Sequence, residues 1–227
     1  MRLDSYQTEN FYDEMFEPDG RCQPPLANLL DTYRGQIRVE KAAVTADHDG
    51  TVQFHVAASP GLSGLSRSPF VADLQTVDVP SVALARYIAA NGLFDVDFIK
   101  IDAEGHDFAI AKGIDFKAVT PRMVMVSFAE EFADQDRASI DRLLQDMRIK
   151  GYRACVVCSG MLGQFKRHEW PKRLLAIGID AVPPLSAGVP LFGNVLFFRD
   201  EDRDFLPSLC DWLEQPHERK QRELAQK

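Results

Sequence analysis

The densest group of residues able to do acid–base chemistry lies in the stretch VDFIKIDAEGHD (96–107), where Asp102, Glu104 and His106 follow an apolar run. Carboxylates this close raise one another's pKa and can hold a neighbouring imidazole in a charged or oriented state. An imidazole titrates near neutrality, so His106 is the natural general base for taking a proton from a hydroxyl. Asp102 ends the apolar run, where a carboxylate faces the cleft outside a sheet, and Gly105 lets the chain turn sharply into the next helix. A plainer role competes: Asp102 and His106 cap the helix start, because acids stabilise its first turn. The two roles can coexist. A second acid, Glu17, ends a short stretch DEMFEP (13–18), where a carboxylate can accept hydrogen bonds from ribose hydroxyls or simply be solvated. His168, in KRHEW, reads as a surface histidine with a second claim on the base role.

Metal and redox chemistry find less support. Cys155 and Cys158 form a CxxC, yet YRACVVCSG reads as a strand, on which residues three apart point to opposite faces. No second CxxC and no suitably spaced histidine pair completes a zinc site, so no metal is expected.

These residues need elements to hold them. Residues 24–35 have helical spacing, open on two prolines and stop at Gly35. Residues 37–46 and 51–57 read as strands joined by Asp-His-Asp-Gly, a hairpin signal. A Gly/Ser/Pro loop (58–70), an extended segment (74–82) and a helix (83–92) follow. The run at 96–102 reads as a parallel strand buried on both faces, continued by a helix at 106–114. Residues 122–131 repeat the pattern and end in Glu130 and Glu131. A helix at 138–151, a strand from Tyr152 and a last strand at 194–200 complete the order, with a partly basic insertion at 159–190. Alternation of this kind predicts a parallel sheet with helices on both faces and ligands at the strands' carboxyl ends.

The 227 residues are 45% hydrophobic and 26% charged, which suits one α/β domain with a substantial core. A formal net charge of −8 argues against nucleic acid as partner, since phosphate backbones demand clustered Lys and Arg. No run approaches the roughly 18 to 20 apolar residues of a membrane span, and the first residues do not resemble a signal peptide. A cytoplasmic protein is the expectation. The charged residues 201–227 are expected to form a helix end or tail outside a domain spanning 1–200.

The segment VDFIKIDAEGHDFAIAKG resembles the hallmark of FkbM-family methyltransferases: a strand ending K-I-D-x-E-G, an acidic helix start and a terminal K-G. FEP (16–18) is similar to that family's second-strand ending, and AAVTADHDGTVQFHV resembles its third-strand region. TPRMVMVSFAEEF looks like its fifth strand. The resemblance implies a Rossmann-like class I methyltransferase sheet, mostly parallel with an antiparallel last strand. It implies that Glu17 and Pro18 contact the ribose side of S-adenosylmethionine, that Ala43 and Val44 lie beside the adenine, and that Asp102 faces the cofactor. The implied activity is O-methylation of a hydroxyl on a sugar, glycolipid or secondary metabolite. Methyl transfer of this kind asks for in-line alignment and a base.

One departure stands out. The family's first strand ends in a glycine-rich loop, and residues 1–16 hold no glycine. The first strand is therefore expected to be missing, through truncation or degeneration, and residues 1–227 alone are expected to bind S-adenosylmethionine weakly or not at all. A non-catalytic domain that binds protein through residues 159–190 is the competing reading. A nicotinamide dehydrogenase needs the same glycine motif and leaves K-I-D-x-E-G unexplained.

Overall fold

The computed structural model describes residues 31–33, 35–57, 63–67, 73–129, 137–161, 176–179 and 191–208. The chain divides into two compact units, residues 1–43 with 50–81 and residues 44–49 with 82–227. It is a mixed α/β protein with two sheets, rather than one sheet carrying every strand.

The smaller sheet has the order β1-β3-β2, from β1 (Ala43–Thr45), β2 (Gly50–Ala57) and β3 (Asp73–Ala83). β2 and β3 run antiparallel, from Gly50 opposite Ser81 to Ala57 opposite Asp73. The expected hairpin between 37–46 and 51–57 does not form, because β3 lies between β1 and β2. The Asp-His-Asp-Gly turn has other partners. The Thr45 hydroxyl donates to the His48 carbonyl and accepts the His48 N–H at 3.0 Å. Asp49 accepts the Ala83 N–H at 2.6 Å and pairs with Arg86. A turn built for helix contacts does not have to close a two-strand ribbon. Of the strand expected over 37–46, only Ala43–Thr45 forms, and residues 37–41 carry no regular structure. Where the helix expected over 24–35 is described, Asp31 and Thr32 are helical and Gly35 follows at φ 81.

The larger sheet has the order β4-β5-β8-β6-β7, from β4 (Phe98–Ile101), β5 (Met123–Ala129), β6 (Tyr152–Met161), β7 (Ala176–Ile179) and β8 (Leu191–Arg199). β4 and β5 are parallel, and β8 runs antiparallel to both β5 and β6. The antiparallel last strand is as expected, but the sheet is not mostly parallel: among its described strands only β4 and β5 pair in parallel, because β8 enters antiparallel between β5 and β6. Part of the expected insertion at 159–190 is β7, antiparallel to β6.

Alternation along β5 and β8 explains why this sheet is dry in the middle. Side chains two apart share a face. Val124 and Val126 therefore join their register partners Phe197 and Val195 on one face, all fully buried. Met123 and Met125 join Phe198 and Leu196 on the other, packed by Leu206 and Phe205 of the chain following β8. The first face is covered by α1 (Leu84–Ala90), α2 (Asp107–Lys112) and α3 (Arg137–Ile149), through Ile88, Phe108, Ile110, Ala111, Leu143 and Met147. Tyr152 closes this core at one edge: its hydroxyl donates to the Pro121 carbonyl and its ring meets Phe116 edge-on at 5.5 Å.

β4 departs from its expected place. It is an edge strand among the described residues, and Phe98 is 47% exposed. Only Ile101 is buried, so the run at 96–102 is not buried on both faces, because β5 alone flanks it.

Candidate functional site

β4 ends at Ile101, and residues 102–106 turn the chain directly into α2. This is the carboxyl end of a parallel pair, where α/β folds gather their ligands. Asp102 is exposed and forms an ion pair with Lys100, two residues earlier on the strand. Spacing by two explains the pair, since both side chains leave the strand on one side.

Two of the residues that follow are unusual in backbone terms. Glu104 sits at φ 44 and Gly105 at φ 104. A glutamate in left-handed territory is uncommon, and a φ of 104 is open in practice only to glycine. The turn is fastened from below by Asp107, 2% exposed. Its Oδ1 accepts the Ala103 N–H at 2.8 Å and its Oδ2 accepts the Gly105 N–H at 3.1 Å. His106 is the N-cap residue of α2 and makes no side-chain cap; its carbonyl accepts the Ile110 N–H at 3.0 Å. The expected capping by Asp102 and His106 is thus corrected. Asp102 is engaged with Lys100, and the acid that serves this corner is Asp107, which sequence reasoning passed over.

Electrostatics single out Glu104. Burial pushes its carboxyl up to about 7, helped by the charges of Asp102 and then Asp107, while Lys100 opposes the rise. A carboxyl poised at neutrality in a strained turn is the combination that functional sites favour. The structure therefore brings Asp102, Glu104 and His106 together within one turn and adds Asp107 beneath them.

The other expected residues are placed differently. Ala43 and Val44 stand on β1, Val44 39% exposed. Two residues on, the Ala46 carbonyl runs past Gly113, where an added Cβ would lie 2.7 Å from it. That close approach accounts for the glycine of the terminal Lys-Gly, and it falls at the C-terminal end of α2, opposite the acids. Glu17, Pro18, Glu130, Glu131 and His168 lie outside the described residues, as do the side chains of Cys155 and Cys158, both on β6. Among the described residues no cluster of three potential metal ligands occurs, and no helix is long and apolar enough to cross a membrane.

A parallel strand pair turning through clustered carboxylates into a short helix defines an α/β protein with a strand-end site. The family comparison narrows the class: the model of the methyltransferase FkbM domain matches residues 9–154, well over half of the chain. The protein belongs to the FkbM methyltransferase domain family. Neither the curated proteins nor the solved structures gave a match.

Proposed function

We propose that the protein is an S-adenosylmethionine-dependent O-methyltransferase whose proton acceptor is Glu104. What supports this is the FkbM methyltransferase domain together with the place of Glu104, half-buried in a positive-φ turn at the carboxyl end of β4, where burial pushes its carboxyl up to about 7. A base with that midpoint is ionised in useful amount at neutral pH and still strong enough to draw the proton of a bound hydroxyl. His106, next but one in the chain and half-buried, is the second group able to relay that proton.

The described residues fit the cofactor on charge. Asp102, exposed beside Lys100, and Glu104, half-buried, place acids at the end of β4, and a sulfonium is a cation; Asp107 is buried against backbone amides beneath them. When bound, S-adenosylmethionine supplies the activated methyl group. The chain's own work is to orient the acceptor hydroxyl, hold Asp102 in place through Lys100, and take up the proton at the Glu104 carboxylate. Val44 and Ala43 offer small apolar surface suited to a flat base, and Glu17 and Pro18 remain the proposed ribose contacts. The acceptor class we propose is a hydroxyl of a sugar, glycolipid or secondary metabolite. Action on a small molecule rather than on nucleic acid agrees with the acidic composition.

The test is a labelled-methyl transfer assay against a panel of hydroxylated acceptors, run at high S-adenosylmethionine. Glu104→Gln should lower kcat by about 100-fold or more, the usual weight of a positioned base. Undiminished turnover in that variant would remove Glu104 from the mechanism.

A further inference from the structure

Asp107 is the only charged residue among the buried groups described, and two of its hydrogen bonds run in an unexpected direction. An acid in the first turn of a helix ordinarily serves the free amides of that helix. Two hydrogen bonds of Asp107 instead run backwards, accepted from the N–H of Ala103 and the N–H of Gly105. Those two residues flank Glu104 on either side. One carboxylate therefore grips the Asp102–Ala103 peptide, one residue upstream of Glu104's own amide, and the Glu104–Gly105 peptide that follows it.

The grip has something to hold. Glu104 and Gly105 have consecutive positive φ values of 44 and 104. Backbone conformations of this kind persist only where surrounding structure over-determines them. Hydrogen bonds to an ionised acceptor are stronger than neutral ones, and a buried acceptor has no water to fall back on.

We propose that Asp107 is the positioning residue of this site: by holding the Asp102–Ala103 and Glu104–Gly105 peptides it fixes the turn that presents the Glu104 carboxyl. The proposal rests on the reading of Glu104 as proton acceptor, but its test does not depend on methyl transfer. Asp107 acts on Glu104 in two ways, through backbone geometry and through its charge, with Asp102 and Lys100 as the other charged groups that bear on Glu104.

Asp107→Asn keeps the shape but turns one of the two acceptors into a donor facing an N–H. In the full 227-residue chain, carboxyl carbon NMR of Glu104 should show its titration midpoint, about 7 in the native protein, fall by about one unit or more, because one unit corresponds to a modest loss of neighbouring charge and burial. Amide exchange at Ala103 and Gly105 should accelerate by about tenfold or more as those bonds weaken. In turnover, kcat should fall with KM for the acceptor nearly unchanged. Asp107→Glu retains both acceptors and should hold the Glu104 midpoint within about half a unit of native; it is the decisive variant if the asparagine form does not fold. An unmoved Glu104 midpoint in Asp107→Asn, or a displaced one in Asp107→Glu, overturns the proposal. If Glu104 is not the base, Glu104→Gln keeps its turnover while Asp107→Asn still moves the titration, so the two failures are told apart.

Discussion

The middle of the larger sheet and the turn at the end of β4 are built on opposite principles, although Ile101 and Phe108 tie both to one core. In the middle, Val124, Val126, Val195 and Phe197 are fully buried, apolar and in ordinary strand geometry. At the turn, a buried carboxylate, two positive φ values and a glutamate pushed up to about 7 occur within six residues. The first arrangement lowers free energy wherever it occurs. The second raises it, and persists because the first holds it in place. The contrast teaches where to expect stability to be lost by mutation and where it is to be gained.

The sharpest break of that contrast is a cavity in the dry region. Phe197 is fully buried between β5 and β6 at the α2–α3 face. Phe197→Ala should cost about 3–5 kcal/mol in urea denaturation, enough to unfold much of a marginally stable domain. A loss under about 1 kcal/mol would mean the sheet tolerates collapse there and the comparison fails.

How far each region could be read from sequence follows the same division. β5 and β8 were legible because their runs are mostly apolar, Met123–Ala129 broken by Ser127 and Leu191–Arg199 by Asn194 and Arg199. The same logic misplaced β4: FIKI looks buried, yet Lys100 reaches Asp102 and Phe98 is half exposed, since neighbour count is not written in a strand's own residues. Asp-His-Asp-Gly carried a true turn signal, but not that Asp49 would accept an amide at the start of α1. The acids of K-I-D-x-E-G located the corner. They did not rank its members, because His106 draws attention by its ordinary pKa, whereas Glu104 gains its midpoint from burial and from Asp102 and Asp107. Burial is a tertiary quantity. Asp107 was passed over for a related reason: an acid at a helix start has a ready local explanation, and only the backbone bonds to Ala103 and Gly105 replace it.

A second, smaller effect probes the turn. Gly105 has φ 104 and donates its N–H to Asp107. Gly105→Ala should destabilise by about 1–3 kcal/mol, the cost of holding an L-residue in a glycine-only region, measured by denaturant titration. The same substitution should lower turnover more than its stability cost explains, because the peptide after Glu104 shifts. Unchanged stability and turnover would show that the turn has another conformation available at no cost.

The smallest expected effect is also the one with a sign peculiar to this turn. Glu104 titrates at about 7 in the folded chain against an ordinary 4.5. Between those values the folded state binds the proton more tightly than the unfolded state, so stability falls as pH rises from 4.5 to 7 and is level above that. Glu104 is partly exposed, and solvent screening brings the cost of its ionised form to about 1 kcal/mol. Glutamine carries no such cost. Glu104→Gln should therefore gain on the native chain by about 1 kcal/mol between pH 5 and pH 8 in parallel urea titrations, while losing turnover. Stability gained where activity is lost is the mark of a side chain kept against the preference of the fold. A difference that stays flat with pH, or grows towards acid, would place Glu104 in an environment like that of any surface carboxylate and leave the turn no different in kind from the sheet that supports it.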